Sequence, residues 1–506
     1  MELIHHAVTA VNLLILAALI VYSANCFVLI AAYRRHRSAA ERRCDDLRRR
    51  FFERLPAKGW PPVTVQLPVF NERYVVERLI ESVSGLDYPR ERLDIQVLDD
   101  STDDTTALAA AAVARMRTQG VQIALLHREA RNGFKAGALA EGLKTAAGEF
   151  IAIFDADFLP PRDFLRNCIP YFVDEKIGML QARWGHLNAD YSLLTRLQAI
   201  GIDGHFTVEQ SSRAWGGLFL NFNGAAGVWR RRAIDEAGGW RADTLTEDLD
   251  LSYRAQLAGW KLMFDPRIVC PAEVPVTVTA LKSQQHRWAK GSIQTARKTL
   301  GRVLAAPLPP GVKIQACLHL TRYLVHPLML AVVLLSIPMH DTPLLSDTRG
   351  GTALFFGLLW LSSLGPSSMH LLSQRLLYRG WKKNIRYLPV LMCLAVGVSV
   401  NNTQAVAEAL LNVRSGFART PKYGIRNRQG AWRDKRYRLP ATGVVIGELL
   451  CGCYALLGVG LYWRSGKLLP GVFLMLYTLG FFYVFSLSLR QSARPAQPAT
   501  KGGQRP

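Results

Sequence analysis

Several short groupings in this chain have residue types and spacings that could do chemistry. Asp155-Ala156-Asp157 sets two carboxylates two residues apart at the end of an apolar run, Phe150–Phe154. Alternation along an extended strand end puts both on one side, which suits a hard divalent cation, Mg²⁺ or Mn²⁺, shared with substrate phosphates. Thr246-Glu247-Asp248 places two adjacent carboxylates ahead of a helical run. They could cap that helix, or one of them could act as a general base on an acceptor hydroxyl. Gln284-x-x-Arg287-Trp288 brings an amide, a guanidinium and an indole onto adjacent faces of one helical turn. Arginine grips phosphate oxygens and tryptophan offers a flat face to a sugar ring, although a surface patch on an amphipathic helix would have the same spelling. Asp99-Asp100 stands before Ser101, either as a loop with a helix cap or as a ligand contact, and Glu72 closes the turn Pro68–Glu72.

These groups need elements to hold them. Val63–Leu67, Ile95–Leu98, Ile123–Leu126 and Phe150–Phe154 read as buried strands, with helices expected over Arg73–Ser84, Thr105–Thr118 and Ala136–Ala147. Strand–helix alternation predicts a parallel sheet with helices on both faces. Ligands of such sheets bind beyond the carboxyl ends of the strands. Glu72, Asp99-Asp100 and Asp155-x-Asp157 each follow a predicted strand, so all of them fall where that crevice would be.

The rest of the chain has another character. Its 506 residues are 49% hydrophobic and 20% charged, and the apolar excess is concentrated at the N-terminus and in the last third. That distribution excludes a simple soluble enzyme and a disordered chain. Ala7–Tyr33 carries no charge and reads as a true membrane span, followed at once by Arg34, Arg35 and Arg37. Four further spans are expected near Ala316–Met339, Thr352–Leu372, Thr442–Trp463 and Leu468–Leu489. The segment Leu388–Val400 is short for a span and precedes the basic stretch Arg414–Arg438. Basic loops stay inside, so a re-entrant or interfacial segment is expected there, with a tilted sixth crossing as the alternative. The net charge of +23 is accounted for by such loops and does not require nucleic acid. The eight cysteines show no CxxC pair and read as small buried hydrophobes.

Taken together and in order, the Asp pair, the DxD, the TED and the QxxRW resemble the processive glycosyltransferases of family 2, the family of cellulose, chitin and hyaluronan synthases. The likeness is to the cellulose synthase-like A group, the glucomannan and mannan synthases, and their bacterial relatives. VQLPVFNE, QVLDDSTDDT, NGFKAGAL, FDADF, QARW, HFTVEQ, FNGAAGVWR, EAGGW and QQHRW carry it from Pro61 to Lys298, and FARTPK at Phe417–Lys422 extends it.

The resemblance implies a GT-A type, Rossmann-like α/β domain on the cytoplasmic face plus an α-helical transmembrane region. The expected division is 1–50, N-terminal span and basic segment; 51–300, catalytic domain; 301–490, C-terminal spans; 491–506, disordered tail. Asp99 and Asp100 would contact the base and ribose of a nucleotide sugar, and Lys135 the diphosphate. Asp155 and Asp157 would hold Mg²⁺ or Mn²⁺, and Asp248, beside Glu247, would be the base. Gln284, Arg287 and Trp288 would clamp the diphosphate and position the acceptor, with Asn223 in the acceptor loop. The implied activity is inverting transfer of a hexose from UDP-glucose or GDP-mannose to a growing β-linked glycan at the inner membrane, with extrusion and an unknown export partner. A single transfer to a polyprenyl phosphate or ceramide is the alternative. A basic scaffold for anionic lipid would leave the acidic motifs unexplained.

Overall fold

In the computed structural model, residues 2–342, 349–413, 419–437, 439 and 442–492 are described. The apolar runs form strands where expected: β1 (Val63–Val69), β2 (Leu93–Asp99), β3 (Ile123–His127) and β4 (Phe150–Ile153). Helices Val76–Ser84, Thr105–Thr118 and Phe134–Thr145 connect them. β1 pairs in parallel with both β2 and β4, and β2 with β3. Alternation divides β4 between two cores: Phe150 and Ala152 pack on one face, Ile151 and Ile153 on the other. β1 buries valine and leucine on the first face but Thr64 and Gln66 on the second. There the Gln66 amide donates to Gln96 Oε1 at 3.0 Å, as a buried amide must.

Beyond β4 the expectation of a parallel sheet is corrected. β5 (Ile177–His186), β6 (Gly227–Arg230) and β7 (Lys261–Ala272) complete a seven-stranded sheet of order β3-β2-β1-β4-β6-β5-β7. β6 runs antiparallel to β4 and to β5, while β7 is parallel to β5. The sheet is therefore mixed. The chain enters β6 from a tight turn in which Gly224 (φ +85°) and Ala226 (φ +57°) both adopt positive φ. That turn lies over the carboxyl end of β4, and its reversal brings Asn223 there too.

Among the described residues three helices are long and apolar enough to cross a membrane: Glu2–Lys58, Val444–Arg464 and Leu468–Gln491. The first continues unbroken past its apolar half, so the expected boundary at residue 50 falls inside a helix. Its basic half lies on the sheet domain, where Cys44 and Leu47 join the sheet's core. The expected span Ala316–Met339 is bent by 52° between Pro310–Leu320 and Arg322–Ser336. Pro327 stands in the first turn of the helix that follows the break, where it has no N–H to bond back to Tyr323. Trp381–Gly397 and Ser399–Leu410 form a second pair, bent by 42°. Thr352–Leu372 falls within the helix Arg349–Leu377, which carries Pro366 and several serines and is not among the three. Phe417 and the expected tail from residue 493 lie outside the described residues. All eight cysteines are free.

Candidate active site

The carboxyl ends of β1, β2 and β4 open into one cavity. Glu72, Asp100, Lys135, Asp155 and Asp157 line it from the parallel side of the sheet. Asn223, Glu247, Asp248, Gln284, Arg287 and Trp288 line it from the other elements. The structure thus brings eleven of the twelve expected site residues to one place.

Asp99 is the exception. It is fully buried, and its carboxylate accepts from Ser101 N at 3.0 Å and Thr106 Oγ1 at 2.7 Å, with His127 Nδ1 2.9 Å away. It organises the loop behind the cavity. Asp100 lines the cavity, but Arg128 grips its carboxylate at 2.7 and 2.6 Å in a two-pronged pair.

Lys135 stands in the first turn of the helix Phe134–Thr145, where the loop from β3 ends. Its ammonium reaches Asp155 Oδ1 at 2.5 Å and Gly224 O at 2.8 Å, with Glu247 3.9 Å away. Burial opposes its charge, but Asp155 and Glu247 outweigh burial and hold its pKa above the ordinary lysine value. Asp157 is paired with a second lysine, Lys422.

Thr246 is the N-cap of the helix Glu247–Leu257, so both carboxylates sit in its first turn. Burial, followed by the neighbouring Glu247, pushes the Asp248 carboxyl above the usual range. Burial also raises Glu247, against the pull of Lys135. The helix is anchored from behind. Asp250 pairs with Arg254 at 2.8 Å and with Lys298 at 2.9 Å, and Lys298 belongs to the long helix Val278–Ala305 that carries Gln284, Arg287 and Trp288. From that same helix Gln294 Oε1 accepts from Leu245 N at 3.0 Å. The two motifs are therefore held as one unit.

Arg287 is partly buried and faces Glu247, Asp155, Asp157 and Asp248; desolvation lowers its pKa against their attraction. It also donates to Thr420 Oγ1 at 2.8 Å. Asp248, Asn223, Gln284 and Trp288 line a second cavity as well, on the side of the sheet nearer the apolar helices. Trp184, His205 and Tyr323 add further rings to that cavity.

Sequence reasoning missed Arg131, Arg419, Thr420 and Lys422 among the lining residues. Arg419 lies 3.2 Å from Glu72 Oε2. The FARTPK stretch carries a likeness, but no spacing rule links it to β1.

Residues 61–291 match the profile described as "Glycosyltransferase like family 2". Glucomannan 4-beta-mannosyltransferase 9 of Arabidopsis thaliana is 36% identical over 414 residues, covering 79% of this chain and 76% of the relative. The chain belongs to glycosyltransferase family 2. Within it, the relatives place it in the cellulose synthase-like A group. Glucomannan 4-beta-mannosyltransferase 1 of Oryza sativa subsp. japonica is 45% identical over 255 residues, 49% of each chain. This glycosyltransferase thus spans about half the length of the first curated relatives it matches. Mannosyltransferase PcManGT from Pyrobaculum calidifontis, solved with GDP-Man and Mn²⁺, is 20% identical over 78% of this chain and all of its own, with a TM-score of 0.46.

The donor set of this glycosyltransferase fits a divalent cation. Among the described residues no three carboxylates, imidazoles or thiolates converge to enclose an ion. Asp155 and Asp157 instead offer two oxygen-donor side chains into a cavity large enough for the ion's remaining partners to be phosphate oxygens. Each already carries a positive charge, the ammonium of Lys135 or of Lys422, where a cation's charge would stand.

Proposed function

We propose that this protein is a membrane-embedded inverting hexosyltransferase that extends a β-linked glycan from a nucleotide-sugar donor. One observation carries the reading: Asp248 lies on the wall shared by two cavities, one rich in charged groups suited to a diphosphate, the other lined by rings suited to a glycan. A base with donor on one side and acceptor on the other is what direct displacement requires.

In the reaction, Asp248 takes the proton of an acceptor hydroxyl whose oxygen attacks the anomeric carbon from the face opposite the phosphate. The bond from that carbon to the diphosphate oxygen breaks, its electron pair leaves with the nucleoside diphosphate, and an α-linked donor becomes a β-linkage. Lys135 and Arg287 meet the charge that grows on the leaving group. Asp155 and Asp157 would hold Mg²⁺ or Mn²⁺, which when bound adds Lewis-acid neutralisation of the diphosphate. Glu72 and Asp100 support the donor side of the cavity. Gln284, Trp288 and Asn223 orient the acceptor. Asp99 acts indirectly, through the loop it shapes.

Mannose heads the candidate donors' sugars because the curated relatives bear the name glucomannan 4-beta-mannosyltransferase. GDP-mannose is therefore the first donor to test and UDP-glucose the second. The arginines after Tyr33 support a cytoplasmic catalytic domain on the cell's inner membrane, with the product leaving through the helical region. The domain division is read accordingly: the anchoring helix, the sheet domain near 51–300, and the helices that follow. The test is purified protein in nanodiscs with a panel of radiolabelled nucleotide sugars, reading released nucleotide and product mass together. Polymer from GDP-mannose supports the proposal. A single sugar on a lipid would replace it, and release without incorporation from every donor would overturn it.

A further inference from the structure

HFTVEQ (His205–Gln210) lies outside the donor site, and the reaction above does not use it. The segment is a π-helix between the α-helices Leu193–Gly204 and Ser211–Trp215. π-turns inside helices are rare and are frequent at functional sites. Here they aim His205 and Glu209 into one network. His205 Nδ1 lies 2.8 Å from Glu209 Oε2, and Nε2 lies 3.0 Å from Asn223 Oδ1. Arg213 Nε donates to Glu209 Oε1 at 3.0 Å, and Arg322 comes within 3.6 Å of the same carboxylate. Burial opposes the charge of Glu209, yet Arg213 and His205 hold it well below the ordinary carboxylate value.

The position of this network is its significance. Glu209 and Arg322 line the acceptor cavity together with Asp248 and Trp288. The same two residues line a third cavity, which runs among the apolar helices beside Tyr22, Ser363 and His370. His326, Leu391 and Ala395 line both cavities too, so a chain lengthening away from Asp248 toward the helices would run alongside this group. A packed apolar neck would serve if the only need were to seal the membrane. A carboxylate and a guanidinium instead offer an acceptor and a planar fork of donors, the pair of partners that vicinal sugar hydroxyls can satisfy together.

Resting on the proposed glycan reading, we infer that Glu209 and Arg322 form a distal acceptor subsite that binds the hydroxyls of a sugar several residues behind the growing end. His205 and Arg213 position Glu209. The subsite therefore governs how well long acceptors are held, and leaves donor binding and the chemistry of short acceptors alone.

The test uses the full chain in nanodiscs, with β-linked gluco- and manno-oligosaccharides of two to eight sugars as acceptors. Glu209→Gln keeps the shape and removes the charge. It should raise KM for the longest acceptors about tenfold, the scale of a lost charged hydrogen bond, and shorten the polymer. KM for the disaccharide and for the donor should stay unchanged. Arg322→Gln changes the more exposed partner, disturbs folding less, and should give the same length-dependent pattern if Glu209→Gln does not assemble. Wild-type KM at every acceptor length in the folded Arg322 variant, with unchanged polymer length, would overturn the subsite while leaving the glycan reading intact. If the wild type extends none of the oligosaccharides and makes no polymer, the glycan reading falls and the subsite falls with it.

Discussion

Gly291 lies against Thr246 so closely that a Cβ on the glycine would stand 2.5 Å from the threonine Cγ2 and 2.9 Å from its backbone nitrogen. The long helix can carry only a hydrogen at this point, and that contact sets the depth of the Glu247–Leu257 helix in the cavity. Gly291→Ala should push Thr246, and Asp248 with it, out of line. Small misplacements of a reacting group can cost ~10²-fold in rate. Transfer should fall on that scale while nucleotide affinity, measured by calorimetry on the same preparation, changes little. Wild-type turnover in the alanine variant would show that the contact does not position the base.

Asp248→Asn keeps the shape of the side chain and removes the base. Loss of a general base costs ~10²–10⁴ in rate. Donor binding should survive. A variant retaining more than about a third of wild-type turnover, against that range, would pass the role to Glu247.

The pH profile offers a separate check. A base works only when ionised, so activity must fall as pH drops through the pKa of Asp248, which burial and Glu247 place above the usual aspartate range. Glu247→Gln removes the like charge and should move the acid limb of the kcat profile to lower pH. An acid limb that stays in place would separate the two carboxylates.

Chelation should silence the enzyme, and added Mg²⁺ or Mn²⁺ should restore it. Asp157→Ala should weaken donor binding and blunt that restoration, because it removes one of the two oxygen-donor side chains. It also frees Lys422 from its partner. Full activity after exhaustive chelation would sink the assignment of Asp155 and Asp157.

Trp288→Ala should spare nucleotide affinity and cut polymer yield, with the donor still hydrolysed by water because Asp248 and Lys135 remain. Trp288→Phe should recover part of the yield through its retained ring. If the tryptophan only anchors its helix, assembly fails and both activities drop together. Nucleotide release and polymer yield measured on one folded preparation distinguish the two outcomes.

Much of the catalytic domain was legible in the sequence because its signals are local. The apolar runs of β1 to β4 and the helices between them follow from period and side-chain type, and the motifs after β1, β2 and β4 inherit their places from the strand ends. β5, β6 and β7 were less legible. β6 is only four residues, and its reversed direction depends on a turn built on the positive φ of Gly224 and Ala226. Asp99 and Asp100 are adjacent, so their opposite fates could not be read from spacing: pleat alternation turns one inward to Thr106 and His127 and leaves the other at the cavity wall.

What the sequence by itself determined is the chemistry available and the elements that carry it: carboxylates at strand ends, a TED at a helix start, an arginine and a tryptophan on one helical turn, and apolar helices around them. Only the tertiary structure decided which distant segments share the cavity. Arg419 reaches Glu72, Lys422 reaches Asp157, and Glu209 meets Arg322 at the neck between two cavities. The physical reason is that periodicity and caps are short-range properties of the chain. A contact between remote segments exists only when the whole fold buries them together and their charges must find partners there.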